Sequence, residues 1–456
     1  GLRLEDLGDY VRIYPNKDQY IKKDGSVQIN GDFSPSAGND IVPKKVVDAR
    51  EINNPVSLQN PVMDNGYRAS RVFQPHVKGD DIIYVKLPTE EPEEAGVLWN
   101  DNGVVRVSRG PVSIIRYYTT EELHFAEYDD VYNVINTETV QSNGTYVDYY
   151  GEMGLDNNFN ASGVTKIEVL NYGNRTNWTT LAFGCSNMTE FVVLANDENK
   201  VTNFDYAWWG CSSLTSFPEL DTRSGTDFSG AWGYCSSLTS FPELDVSSGT
   251  NFSAAWGGCS SLTSFPELDV SSGTNFGHAW NNCSLTSFPE LDVSQGTNFG
   301  HAWYNCTDLT SFPELDVSQG TNFNYAWYSC SSLTSFPELD VSQGTNFRYA
   351  WFDCSTLTSF PELDVSSGTS FRSAWNNCIS LTSFPQLDVS SGTVFDSAWY
   401  YCPSLTSFPE LDVSSGTDFR HAWDSCHKLP HCPAGNEVTI PAGADTNYMC
   451  DDCCDE

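Results

Sequence analysis

From Cys211 to Cys426 the chain repeats one order of apolar and polar positions, C-S-S-L-T-S-F-P-E-L-D-V-S-S-G-T-N-F-x-x-A-W-x-x. Cysteines fall at 211, 235, 259, 283, 306, 330, 354, 378, 402 and 426, spaced by 24 residues except for 23 after Cys283, where one serine is missing. In the copy from Phe252 to Val270, the residues Phe252, Ala255, Trp256 and Cys259 sit at i, i+3, i+4 and i+7, the spacing of one face of a short helix. Thr250 or Asn251 is placed to cap it. Leu262 and Phe265 lead into Pro266-Glu267-Leu268-Asp269-Val270, where alternation predicts a short strand with Leu268 and Val270 inward. Proline is tolerated only at the start of such a strand. Ser271-Ser272-Gly273 then supplies a turn.

One coil of this kind cannot bury enough apolar surface to order itself, so the units must stack and be capped at the ends. The pattern predicts an α/β repeat solenoid of coils of about 24 residues, each with a short helix and a short parallel strand. A weaker copy, Trp178 to Cys185 followed by Met188-Thr189-Glu190-Phe191, reads as the entry cap. The resulting division is a β-rich region at 1–110, a small β-rich connector at 111–165 that includes Tyr117, Tyr118, Tyr132, Tyr146, Tyr149 and Tyr150, and an entry cap with a degenerate first repeat at 166–200. The solenoid follows at 201–428, and a cysteine-rich tail at 429–456.

The repeated phrase resembles the BspA-like leucine-rich-repeat family of bacterial and phage surface proteins over about residues 175–428. Trp stands where that family usually has Phe, and the Pro-Glu pair is an insertion. The resemblance implies a right-handed solenoid of helices and strands used in adhesion, with unpaired cysteines and no catalytic residues. A second segment, Leu87–Ser108, with Leu98-Trp99-Asn100-Asp101 before Asn102-Gly103, is similar to a stretch frequent in bacteriophage fibre, tail and head-decoration proteins. Its Asn-Gly between two apolar runs predicts a β-hairpin.

Composition sharpens this picture. Across 456 residues, 23 basic and 60 acidic side chains give a net charge of −37. Residues 1–110 carry a net −3 and the remainder −34, so the two parts have different jobs. Such acidity disfavours nucleic acid and anionic membranes as partners. No apolar run is long enough for a membrane-spanning helix, so no membrane insertion is expected. The opening Gly-Leu-Arg-Leu-Glu-Asp has no basic-then-apolar leader, which is read as a signal segment removed or never present.

Four positions per coil vary while the rest hardly change: the two after the first Phe and the two after the Trp. On a helix they would form one outward stripe. From Phe228 onward they hold 7 Tyr, 6 Asn, 6 Ser and 6 Gly, and neither Lys nor Glu. Drift on an exposed helix would favour Lys, Glu, Gln and Ala, whereas this mixture matches binding surfaces rich in Tyr, Ser, Gly and Asn. The candidate ligand-binding residues are Tyr304, Tyr325, Tyr328, Arg348, Tyr349, Phe352, Arg372, Tyr400, Tyr401, Arg420 and His421. Aromatic rings stack on sugar faces, so a host cell-surface glycan fits as ligand, and a protein receptor fits nearly as well.

On the other side run two acidic ladders, Glu219 to Glu410 and Asp221 to Asp412. Each Asp either caps its own Ser-Ser-Gly turn, holds calcium between coils, or belongs to a solvated negative face. The repeat cysteines are expected as buried thiols. Cys426, His427, His431, Cys432, Cys450, Cys453 and Cys454 suggest either zinc or an exit cap with one or two disulfides. No metal ligand and no cofactor is assigned. Nucleophile, phosphate-loop and zinc-protease motifs are absent, and no enzymatic activity is expected. The chain is therefore expected to be a bacteriophage virion surface protein, joined to other virion proteins through its N-terminal region. The alternatives are a bacterial cell-surface adhesin or a capsid-decorating or filament-forming subunit, with a homo-oligomer left open.

Overall fold

The computed structural model describes residues 113–129, 133–195 and 199–453, together with the backbone of seven strands within residues 1–112. The chain divides into two compact units, Gly1–Val112 and Ser113–Glu456. In the first, β1 (Leu4–Asp6), β2 (Tyr10–Ile13), β3 (Gln19–Lys22), β4 (Ser26–Ile29) and β5 (Val85–Lys86) make an antiparallel sheet in chain order. A separate hairpin pairs β6 (Leu98–Asp101) with β7 (Val104–Val107), Asp101 opposite Val104, with Asn102 and Gly103 between them. That is the register a two-residue Asn-Gly connection imposes. The rest of the expected anchoring region, as well as Tyr132 and Cys454, lies outside the described residues.

The second unit begins with two small sheets. One orders β10 (Val134–Val140), β9 (Leu123–Tyr128) and β12 (Gly154–Leu155). The other orders β11 (Val147–Tyr149), β8 (Ile114–Tyr118), β13 (Lys166–Asn171) and β14 (Glu190–Val193), with β13 and β14 parallel and the other pairs antiparallel. Alternation places Ile115, Tyr117, Ile167 and Val169 in the core that continues into the repeats. Tyr117 donates its hydroxyl to the Leu181 carbonyl at 3.0 Å. Arg175 is wholly buried, its Nε and Nη2 donating to the carbonyls of Asn177 at 2.7 Å and Met153 at 2.8 Å. From Ser113 on, the segment expected as a connector is therefore the capping layer of the array. The physical reason is that the open edge of the first coil must be paired and covered.

The repeats stack, but not through helices. Among the described residues there is no α-helix. In the coil at Phe252 the backbone N–H groups alternate between two kinds of partner. Those of Phe252, Ala254, Trp256 and Gly258 donate to Asn275, Gly277, Ala279 and Asn281 of the next coil at 2.7–2.9 Å. Those of Ala255, Gly257 and Cys259 donate three residues back within their own coil, at 3.1–3.2 Å. A helix would have kept every bond internal and left the neighbouring coil unpaired. This alternation requires a left-handed backbone at every second outward position, and from Tyr206 to Asp452 those residues have φ of 51–76°. Asn251 does cap the segment, its Oδ1 accepting the Ser253 N–H at 3.2 Å, though the segment is no helix, and its backbone makes a parallel bridge to Asn275 within a column of single bridges running from Asn177 to Asp445.

The strand expected at Pro266–Val270 is also absent. Its alternation is real, since Leu268 and Val270 are buried while Glu267 and Asp269 are exposed. The N–H of Leu268 turns back to the Pro266 carbonyl, however, and inter-coil pairing falls on the threonines, with Thr274 N–H donating to Thr250 O at 2.9 Å. Proline removes the donor a ladder would need there. The core positions read from the pattern are all filled as expected: Phe252, Ala255, Trp256, Cys259, Leu262, Phe265, Leu268 and Val270 are buried. Ten tryptophans from Trp208 to Trp423 stack at 5.2–5.7 Å with interplanar angles of 5–9°. The missing serine after Cys283 removes the turn that Ser260-Ser261 form in the preceding coil, yet Leu285 stays fully buried.

Candidate functional site

The four variable columns do lie together on the outward side of the coil, each pair bracketed by buried residues. Their geometry revises what their composition means. The second member of each pair is left-handed, and Gly, Asn, Asp and His tolerate that conformation far better than other residues do. All three histidines of the stripe occupy left-handed places, but only five of its twelve Gly and Asn residues do, so the backbone alone does not account for the stripe's composition. The tyrosines at 234, 325, 349 and 401 run against this preference, since a bulky residue with φ of 55–57° costs about 1–2 kcal/mol.

Rings at these positions gather into three groups. In the central group His278, His301, Tyr325 and Tyr349 stack in one column at 4.3–4.6 Å, and Tyr304, Tyr328 and Phe352 stack in a second at 4.6–4.7 Å. The two columns meet obliquely, with Tyr325 5.5 Å from Tyr328 and Tyr349 5.6 Å from Phe352. The Arg348 guanidinium sits 5.3 Å from the Tyr349 ring centre and makes no ion pair among the described residues. Burial raises the Tyr325 and Tyr328 phenols above their ordinary range. Burial, with His278 beside it, pushes His301 down to about 4.

Between members of these columns the ring faces cover one another, which leaves edges, hydroxyls and the outer faces of the end rings for contact. The eleven expected residues do not form one cluster. After Phe352 the next coil places Ser373, Asn376 and Asn377 at the corresponding positions. Arg372 and Arg420 both pair with the buried Asp396, at 3.1 and 3.3 Å, and Arg420 also binds Asp418 at 2.7 Å. They neutralise this carboxylate while their side chains stay 41% and 42% exposed on the flank. Tyr400, Tyr401 and His421 form the second group, where His421 stacks on Tyr448 at 5.1 Å and holds Asp424 at 2.8 Å.

A third group escaped notice because the stripe was read only from Phe228 onward. Tyr206, Trp209 and Tyr234 meet at 5.0 and 4.7 Å with planes tilted by about 60°. Their rings cover glycines: a Cβ at Gly233 would fall 2.2 Å from Trp209 and one at Gly258 would fall 2.9 Å from Tyr234. Tilt leaves ring faces uncovered by one another. A cavity of about 290 Å³ lies between cap residues such as Glu127, Asp129 and Glu152 and the coil residues Asn177, Asn203, Asp205 and Asp227, and none of the three rings lines it. Burial, then Asp205 and Asp227, raises the Tyr206 phenol. The signal was present in the first full coil, as a second Trp directly after the column Trp208.

The acidic ladder resolves into turn caps. Asp269 accepts from the Ser271 amide at 3.1 Å and hydroxyl at 2.6 Å, and the same Asp-to-Ser bond recurs at Asp316, Asp364 and Asp412. The serine hydroxyl holds Asp269 and Asp364 below the usual carboxylate range. Among the described residues the ladder carboxylates do not converge in threes as a calcium site would require. The repeat cysteines are buried thiols, Cys259 donating to the Trp232 carbonyl at 3.2 Å. Burial pushes Cys306 up to about 12, which makes it inert at neutral pH. At the exit, Cys432 and Cys450 form a disulfide.

No family model matches the chain, and no curated protein matches it. Among solved structures it is similar to a leucine-rich repeat protein from Eubacterium ventriosum, with 11% identity and a TM-score of 0.29 over 75% of this chain and 95% of that one.

Proposed function

We propose that this chain is a non-enzymatic surface protein whose outward columns recognise a partner on a host cell. The observation that carries this is the placement of tyrosines at left-handed positions, where Asn or Gly fits with less strain, on a scaffold whose inward residues repeat almost unchanged. Edges and hydroxyls of the central group suit a polypeptide surface, where Tyr offers wide contact at low entropic cost. The tilted Tyr206–Trp209–Tyr234 group, whose faces do not cover one another, favours a second reading, a glycan whose ring lies on an aromatic face. We place the protein on a bacteriophage virion, a reading that rests on the likeness of Leu87–Ser108 alone. Several copies per particle would then multiply weak contacts.

The test is binding of the full chain to host cells and to a glycan array. Replacing Tyr325, Tyr328 and Tyr349 together with serine should reduce cell binding at least about tenfold, the effect of losing roughly 1.4 kcal/mol, with a cooperative unfolding transition retained. Unchanged binding by this variant and by Trp209→Ser would remove the flank from consideration.

A further inference from the structure

The last coil departs from the repeat at the two positions that close the array. Asp418 bridges to Asp445, and continuing that register puts Cys450 where the column tryptophan belongs and Cys453 where the repeat cysteine belongs. Cys450-Asp451-Asp452-Cys453 is a tight turn, closed by the Cys453 amide on the Cys450 carbonyl at 3.3 Å, with Asp452 at φ of 54°. It faces Cys432, and the three sulfurs all lie within 4.8 Å of one another. In this structure Cys432 and Cys450 are joined, their Cα atoms 6.0 Å apart, and Cys453 is a thiol only 5% exposed.

We infer that under reducing conditions Cys432, Cys450 and Cys453 hold one zinc ion as thiolates, with water at the fourth position. Zinc–sulfur bonds of about 2.3 Å in a tetrahedron set the sulfurs about 3.8 Å apart, a separation within the reach of this cluster. Thiolates select zinc over calcium or magnesium. An external thiol first gives two electrons and two protons to the disulfide. Zinc then displaces three protons from the three thiols. His431 is engaged elsewhere, its Nε2 2.7 Å from Glu437. The repeat thiols do not compete, because each is enclosed in the core with its sulfur on a backbone carbonyl, that of Ala182 for Cys211 and of a tryptophan for Cys235 to Cys426. Disulfide and zinc would each tie Cys432 to the terminal coil, keeping the exit closed in either environment.

The test uses the full chain, reduced with a non-chelating phosphine, dialysed against zinc and assayed for bound metal, with cobalt(II) as the optical probe. About one zinc per chain is expected for the reduced protein, with sulfur-to-cobalt charge-transfer bands, and none for the oxidised protein. Cys453→Ser still forms the Cys432–Cys450 disulfide, which verifies folding, and should lose the metal once reduced. A reduced wild-type chain that binds no zinc, or a reduced Cys453→Ser that binds as much as wild type, overturns the site. Neither result depends on whether the flank recognises a host.

Discussion

Inside and outside, this protein builds ring stacks on the same coil spacing, yet the two behave differently. The inner column of ten tryptophans runs without a gap, and its indole N–H groups find no oxygen acceptor among the packed rings. The outer columns stack at 4.3–4.7 Å from His278 to Phe352, then break, and resume only as the His421–Tyr448 pair. Before and after them stand Gly, Ala, Ser and Asn at corresponding places. Stacking alone is therefore no sign of function, because any ring repeated at this spacing will stack. Interruption is the informative part: the coil tolerates loss of the outer rings and not of the inner ones.

The sharpest break of this contrast is Trp327→Ala. It opens a cavity in the middle of the inner column and should cost about 3–5 kcal/mol, read as a fall in the chemical denaturation midpoint. A cost below about 1 kcal/mol would mean that the coils do not depend on the column. Outside, Tyr325→Asn exchanges a strained left-handed tyrosine for a residue suited to the backbone. Loss of stacking, about 0.5–1.5 kcal/mol, is offset by about 1–2 kcal/mol of relieved strain. Stability should thus change by less than about 1 kcal/mol in either direction while cell binding falls; a large destabilisation would make the ring structural.

The smallest effect concerns His301. Its folded value near 4 lies below the ordinary 6.5, so the unfolded chain binds the extra proton between those limits. Its contribution to stability is fully present above pH 6.5 and declines as pH falls toward 4. His301→Asn should flatten that part of the stability–pH profile slightly, the group being half-exposed and screened. A profile identical to wild type would show that the histidine pair is not held neutral.

Much of the fold was legible in residue order. The inward set from Phe252 to Val270, the stacking, the Asp-Ser turn caps and the Asn-Gly hairpin all follow from period, burial and turn chemistry. The local backbone was not, because two inward and two outward residues in alternation satisfy i, i+3, i+4, i+7 whether the segment is a helix or a run of turns. A clue lay in Gly258, Asn282, Asn305, Ser329 and Asp353 at successive left-handed places, where helix formers are missing. Of the candidate site, the ring-bearing flank was readable, but pairing of Arg372 and Arg420 to Asp396 was not, since it joins residues 24 apart through a register fixed only by stacking.

Each coil offers its successor the same acceptors in the same places, and the coil shortened after Cys283 keeps its interior intact. A genetic duplication or deletion of a whole unit would meet identical partners on both sides and need no new interface. Reach, and the number of contact stations along it, can then evolve by copy number without any change to the plan of the individual layer.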